Sequence, residues 1–368
     1  MLYTKIAKPI LFGMDPEKAH HLTIDGMHRA GRAPGGAALL RALWGVEQRP
    51  ELTMELMGLR FPQPVGLAAG LDKNAKAVDG FSSIGLGFME VGTVTPKGQP
   101  GNPQPRLFRL PEDRGLINRM GFNNDGTAAM KQRLAKRRVR TIPLAVNIGK
   151  NKTTPNAQAH EDYRACIRDL YAEGDFFVVN ISSPNTPDLR ELQHGDDLRQ
   201  LLAAVLEEMR AQSRQQGADS AVKPMLVKIA PDMTEEQLAY TVDTIVASGA
   251  SGIIATNTTI RREGLRHRHA AETGGLSGAP LRDRTTEIVG RIYRQVEGQV
   301  PIIGSGGIFD ADDAYAKITA GASLVEIYTA LIYRGPEVLR ELQQGLLERL
   351  RRDGFGHLSE AVGADHRR

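Results

Sequence analysis

The sequence is short of the features that would place it outside the ordinary globular proteins. It has one cysteine, Cys166, which excludes an intramolecular disulfide, a thiolate metal cluster and a CxxC redox pair. No apolar run approaches the roughly 20 residues that cross a bilayer, and no secretory signal is visible. Basic residues read as scattered along the chain rather than gathered into long blocks. The net charge of +4 is scattered over 368 residues, so nucleic acid is not an expected partner, although a mildly basic surface suits anionic lipids or metabolites. No bound metal is expected. What remains is a composition of 41% hydrophobic and 24% charged residues, normal for a chain of cytosolic origin with a large core. Its length allows one large α/β domain with a small appendage, or two medium domains.

Short apolar segments rich in β-branched residues recur along the chain, each ending in glycine or small polar residues. They are 64–70 (PVGLAAG), 88–94 (FMEVGTV), 144–149 (LAVNIG), 176–182 (FFVVNIS), 225–230 (MLVKIA), 252–258 (GIIATNT), 301–307 (PIIGSGG) and 324–330 (LVEIYTA). Helical spacing fills several gaps. In 234–249, Leu238, Tyr240, Val242, Ile245 and Val246 form the apolar stripe, leaving Glu235, Glu236 and Asp243 for solvent. Unalternating strands interleaved with helices imply a parallel sheet covered on both faces. Eight of them point to an α/β fold of the (β/α)8 TIM-barrel type, with a doubly wound open sheet as the alternative.

Two regions lie outside the repeat. Residues 1–50 carry two candidate helices and form a small N-terminal helical extension. The first puts Leu2, Tyr3, Ile6 and Ile10 on one stripe. The second opens on Asp15-Pro16-Glu17, an N-cap, a first-turn proline and an acidic first turn, then runs through Ala19, Leu22, Met27 and Ala30 to Gly31. This region holds seven Lys/Arg against four Asp/Glu, so it is locally basic. The other, 106–124 (RLFRLPEDRGLINRMGFNN), reads as a hairpin carried over one end of the barrel. Residues 51–352 are then the barrel domain and 353–368 a tail.

A barrel places its chemistry at the carboxyl ends of its strands. Here those ends supply Ala69, Gly70, Leu71, Asp72 and Lys73; Thr93; Asn147; Asn180 and Ser183; Lys228; Thr256, Asn257 and Thr258; Gly306 and Gly307; and Tyr328 and Thr329. Polar groups at all eight ends, two of them lysines, call for a large polar ligand. The run GSGG (304–307) and YTA (328–330) occupy the phosphate position of such barrels, where glycine lets backbone N–H groups approach an anion. Phosphate at one rim, amides along the other and two lysines suit flavin mononucleotide, FMN.

The motifs AAGLDKNA, NRMGFNN, VNIGKNK, NISSPNTP, GLSGAPL and GSGGI stand in the order found in the dihydroorotate dehydrogenases. The chain most closely resembles the quinone-linked, membrane-associated class, through nearly all of residues 1–345. The resemblance implies that dihydroorotate is oxidised to orotate in pyrimidine synthesis, with Ser183 as the catalytic base and Thr186 or a trapped water as its proton relay. The sister soluble class carries cysteine there, whereas Cys166 falls in a helical stretch and reads as a buried thiol. It further implies substrate contacts from Lys73, Asn118, Arg119, Met120, Gly121, Phe122, Asn180, Asn185, Asn257 and Thr258. FMN contacts would come from Ala69, Gly70, Leu71, Asp72, Lys73, Thr93, Asn147, Asn180, Lys228, Thr256, Gly278, Gly307, Tyr328 and Thr329. PNTPDLREL becomes a lid. The helical pair in 1–50 becomes a quinone funnel with His20 beside the quinone, ubiquinone or menaquinone. A monomer, peripheral on the cytoplasmic face of the inner membrane of a bacterium, is the expected setting. Another FMN oxidoreductase, a phosphosugar isomerase or a non-catalytic flavin-binding barrel would share the glycine site without needing NISSPN and NRMGFNN.

Overall fold

The computed structural model describes residues 3–193, 195–217 and 220–367. Eight parallel strands close into a barrel: β1 (Val65–Leu67), β2 (Met89–Val94), β3 (Leu144–Ile148), β4 (Phe176–Asn180), β5 (Met225–Ile229), β6 (Gly252–Ala255), β7 (Ile302–Ser305) and β8 (Leu324–Ile327). Each pairs with its sequence neighbour, and β8 pairs with β1, which rules out the open sheet. Every residue of these strands is buried. A strand covered by side chains inside the barrel and by helices outside has no solvent face, hence the unalternating sequences. Below, Phe61 from the hairpin Met54–Leu56/Leu59–Phe61 meets Phe88 edge-on at 5.6 Å and Phe176 at 6.2 Å. The bottom is thereby plugged, and the opposite rim is the open one.

The insertion 106–124 does form a hairpin, Leu107–Leu110 against Gly115–Asn118. A third strand, Gly275–Gly278, adds antiparallel to it, with Gly275 opposite Asn118 and Gly278 opposite Gly115. A segment far along the chain thus completes a small sheet over the rim.

At the N-terminus the structure revises three expectations. Leu2 lies outside the described residues. The first turn, Tyr3–Ala7, is π-helical before the α-helix Lys8–Phe12 begins, and the wider pitch turns Tyr3 away from Ile6 and Ile10. Tyr3 points inward, its hydroxyl donating to Ile332 O at 2.6 Å, while Ile6 and Ile10 are 57% and 63% exposed. In the next helix, Pro16–Arg32, Asp15 caps the N–H groups of Glu17 and Lys18 as its sequence implies, but Leu22 is exposed. Gly31 does not stop this helix. A Cβ there would lie 2.4 Å from Gly80 N, and one on Gly80 would lie 2.3 Å from Met27 O, so both glycines serve a close helix-on-helix approach.

Elsewhere, the helix Glu235–Ala247 has a Thr234/Gln237 capping box and buries Leu238, Val242 and Ile245. Tyr240 stands outside that stripe, exposed and accepting a hydrogen bond from Arg199 at 3.0 Å. The C-terminal residues dock on the barrel. Leu358 and Ala361 are buried, and His366 stacks on Tyr293 with its Nε2 2.9 Å from Ala320 O.

Candidate active site

A cleft of about 1120 Å³, its mouth included, opens at the carboxyl ends of the strands. Its floor is an ion cluster. Lys228 of β5 reaches across the barrel to Glu90 of β2 at 2.7 Å and Glu326 of β8 at 3.2 Å, all three buried. Burial works to lower the Lys228 pKa, but the carboxylates, Glu326 before Glu90, outweigh it and hold the ammonium up at about 12. Burial, then the charge of Glu90, pushes Glu326 up to about 8 against the pull of Lys228. The sequence reading passed over both acids. Their signal was present, since each is the one charged residue in an otherwise apolar strand.

An amide network rises from that floor. Asn147 donates to Glu90 at 2.5 Å and accepts from Thr93 and from Asn180 at 3.2 Å, while Asn180 also donates to Thr93 at 2.9 Å. Asn257 donates to Asn180 at 3.3 Å and to Ser182 at 3.0 Å; Asn185 donates to Asn118 at 3.2 Å. Four side chains expected to read the substrate therefore orient one another. Ser182, unnoticed in the sequence, is part of that framework. Such a net presents donors and acceptors in fixed directions, which suits a planar ligand edged with amides.

Ser183 lines the cleft just past β4, 6% exposed, and its Oγ accepts from Asn185 N at 3.2 Å. Three residues on, the buried Thr186 hydroxyl has no partner among the described residues. The lid segment is tied down from beneath. Arg190 donates to Ser182 O at 3.0 Å, to Thr258 O at 2.9 Å and to Asp232 at 2.9 Å, with Leu189 and Leu192 buried.

Most of the predicted residues converge on this cleft: Ala69, Gly70, Lys73, Thr93, Asn118, Met120, Gly121, Phe122, Asn180, Ser183, Asn185, Lys228, Thr256, Asn257, Thr258, Gly278, Gly307, Tyr328 and Thr329 all line it. Four do not. Asn147 sits behind Thr93. Asp72 binds backbone N–H groups of Lys76 at 2.8 Å and Ala77 at 2.7 Å, a turn-building role. Leu71 faces a second cavity. Arg119 turns out to Glu272 at 2.7 Å and lies over the Phe108 ring. Burial pushes Lys73 down to about 8, with Glu17 opposing.

Gly306 and Gly307 line the phosphate side at φ 111° and 74°, where side chains are disfavoured. A Cβ on Gly307 would lie 2.2 Å from Arg282 Cα. The helix Arg282–Val296 beneath the loop by itself therefore requires glycine here. The cradle still fits a flavin phosphate: backbone bare of side chains, beside Gly278 and Thr329, with a buried lysine across the floor.

Behind the cleft lies the second cavity, about 1170 Å³, lined by Tyr3, Leu11, Phe12, Met27, Trp44, Phe81 and other apolar side chains of the N-terminal helices and barrel. His20, Leu107 and Tyr328 line both cavities and form the wall between them. Burial first, then Lys73 and His21, push the His20 imidazole well below its ordinary value, so it is neutral.

Chemistry gathered at the strand ends above a packed, plugged core defines an enzyme of the (β/α)8 class. Residues 51–350 match the family profile of dihydroorotate dehydrogenase. The chain is 52% identical over 376 residues to a dihydroorotate dehydrogenase (quinone) of Deinococcus radiodurans, covering 97% of this chain and 98% of that one. It is 50% identical to one of Anaeromyxobacter dehalogenans, covering 98% and 96%. The crystal structure of DHODH from Eimeria tenella in complex with ferulenol is 42% identical and superposes with a TM-score of 0.89 over 98% of this chain and 99% of that one. This chain belongs to the dihydroorotate dehydrogenase family, a flavin-dependent family of oxidoreductases.

Proposed function

We infer that this chain oxidises dihydroorotate to orotate and passes the electrons to a membrane quinone, as the quinone-dependent branch of its family does by name. The observation that carries the reading is the wall of His20, Leu107 and Tyr328, with a polar cleft on one side and an apolar cavity of similar size on the other. A polar substrate and an apolar acceptor need two rooms, joined where electrons can cross.

In the cleft, Asn118, Asn185, Asn257 and Thr258 orient the ring and carboxylate of the substrate. Gly278, the 306–307 loop and Thr329 would hold the phosphate of FMN, and Lys73 and Lys228 its ring; when bound, FMN would supply the hydride acceptor. Ser183 takes the C5 proton while hydride leaves C6. A neutral hydroxyl is a weak base and must itself be relieved of a proton; the unpartnered Thr186 hydroxyl, through a water, supports that relay. Arg190 keeps the lid closed, and water excluded from the site strengthens each of these interactions.

The neutral His20 faces the quinone. Ile6, Ile10, Leu22, Leu39 and Leu43, five of the eight large exposed apolar side chains among the described residues, fall within the first 44 residues, among basic groups. They support seating on an anionic membrane surface without spanning it, and among the described residues no helix is long and apolar enough to cross a membrane.

The test is anaerobic mixing with dihydroorotate. The purified protein should be yellow, bleach on mixing, and regain colour when a short-chain quinone is added. A colourless protein, or a yellow one that dihydroorotate leaves unchanged, would refute the reading.

A further inference from the structure

Three ionisable groups meet under the cleft, and one ammonium stands between two buried carboxyl groups. They are not equivalent. Glu90 accepts from Lys228 at 2.7 Å, from Ala69 N at 2.8 Å and from Asn147 Nδ2 at 2.5 Å. Glu326 accepts from Lys228 alone, at the longer 3.2 Å, and no donor among the described residues reaches its Oε1. Both carboxyl groups flank the same ammonium, and the charge of Glu90 acts to raise the proton affinity of Glu326. One ammonium balances one carboxylate, and a second buried negative charge is expensive. Three donors satisfy Glu90, whereas a single one reaches Glu326. The proton belongs on Glu326. Among the described residues, the charged groups facing Glu326 are Glu90 from β2 and Lys228 from β5, and no others act on it appreciably.

We propose that Glu326 is a positioning residue for the redox chemistry of this site: by holding one proton beside Lys228 it keeps the floor of the cleft electrically neutral, and it takes that proton up when the cofactor above gains negative charge. The proposal rests on the reading of the cleft as a flavin site. Lys228 and Glu326 both line it, so the charge of the cluster acts on whatever ring lies there. With the proton in place the cluster is Lys⁺, Glu⁻ and neutral acid. Without it the net charge is −1, and two-electron reduction to an anion is opposed. Linkage makes the effect reciprocal: reduction must raise the proton affinity of Glu326 by the same factor that deprotonation hinders reduction. The balance is explicit. Below the titration of Glu326, reduction consumes two electrons and one proton, which goes to the cofactor. Just above it, two electrons and two protons are consumed, the second forming the O–H bond of Glu326. The position of Glu326 at about 8 puts this change of stoichiometry in an accessible range.

The experiment is a potentiometric titration of the purified holoprotein from pH 6 to 10, without substrate. The slope of midpoint potential against pH should double near pH 8, from one proton per two electrons to two. In Glu326→Gln, a neutral amide of the same shape, that doubling should vanish while the potential at pH 6 stays close to the parental one. A doubling that persists in Glu326→Gln, or its absence from the parent, would overturn the proposal. Should the variant lose its flavin, the infrared spectrum of the parent decides, because Lys73 in the same cleft is also held at about 8. A reduced-minus-oxidised infrared difference spectrum at pH 9 should gain a protonated carboxyl band that shifts with ¹³C-glutamate, and a spectrum without it overturns the proposal. Protein that holds flavin yet is not bleached by dihydroorotate would refute the assigned substrate while leaving these readouts intact; colourless protein would refute both.

Discussion

The two cavities contain nearly the same empty space, about 1120 and 1170 Å³, and have opposite chemistry. The cleft is floored by a lysine and two carboxyl groups and walled by asparagines that hold one another. The cavity behind it is walled by leucine, phenylalanine, methionine and tryptophan from the N-terminal helices. One is built from strand ends, whose backbone is locked on both sides by the barrel. The other is built between a helical cap and the barrel surface, joined by apolar packing and a few polar ties such as Arg106 to Glu17 at 2.6 Å. Polar recognition needs fixed directions, and apolar recognition needs only volume and dryness. A chain that must hold a charged ring and an apolar one near a common electron carrier has reason to keep them apart.

Substitutions on either side of the wall should separate the half-reactions, and the largest effect is expected at Ser183. Ser183→Ala should slow anaerobic flavin reduction by dihydroorotate about 100-fold or more, the usual contribution of a general base. Reoxidation by quinone should be unchanged, and stopped-flow absorbance reads both steps. Ser183→Cys should recover part of the rate. Parental reduction rates in the alanine variant would remove this serine from the mechanism.

On the other side, Ala7→Phe places a ring inside the apolar cavity. The KM for a long-chain quinone should rise about tenfold or more, as befits a hydrophobic site that has lost room for its ligand. Reduction by dihydroorotate should keep its parental rate. Equal losses in both half-reactions would mean that the two cavities are not independent rooms.

A smaller effect concerns how the cap meets its surroundings. Ile10 and Leu39 are 63% and 60% exposed. Changing both to serine should weaken co-sedimentation with anionic vesicles several-fold, with stability altered by no more than about 0.5 kcal/mol. Undiminished vesicle binding would show that the membrane contacts another face.

The smallest effect is a stability slope. Glu326 has its folded pKa raised to about 8 from an ordinary value of 4.5. Between those values the folded protein binds the proton that the unfolded chain releases, so this contribution is full below about pH 4.5 and lost as pH rises through 8. The parent should therefore lose more Tm between pH 5 and 8.5 than Glu326→Gln does. An equal loss in both would place the proton elsewhere.

Much of this was legible because barrel strands leave a local trace. Unalternating apolar runs ending in glycine or polar residues located all eight strands and, with them, most of the rim. The misses come from hydrogen bonds and contacts that carry no periodic signal, most of them to partners distant in the chain. Asp72 and Arg119 belong to motifs at the rim, yet one is turned into its own loop and the other outward, by hydrogen bonds no periodicity encodes. Gly31 looked like a helix stop and is a contact with Gly80. Glu90 and Glu326 were visible as lone acids in apolar strands, but their meaning lies in a lysine 138 and 98 residues away.

By itself, then, the sequence determined the elements, the order of the strands and which ends carry chemistry, because burial on both faces and the need for glycine and short amides at turns are local demands. Tertiary structure alone decided which acid shares Lys228, which asparagines bind one another, and that His20, Leu107 and Tyr328 form one wall between two rooms. Closure of the barrel brings strands two, five and eight to a common axis, and only there does a charge meet the partners that set its proton.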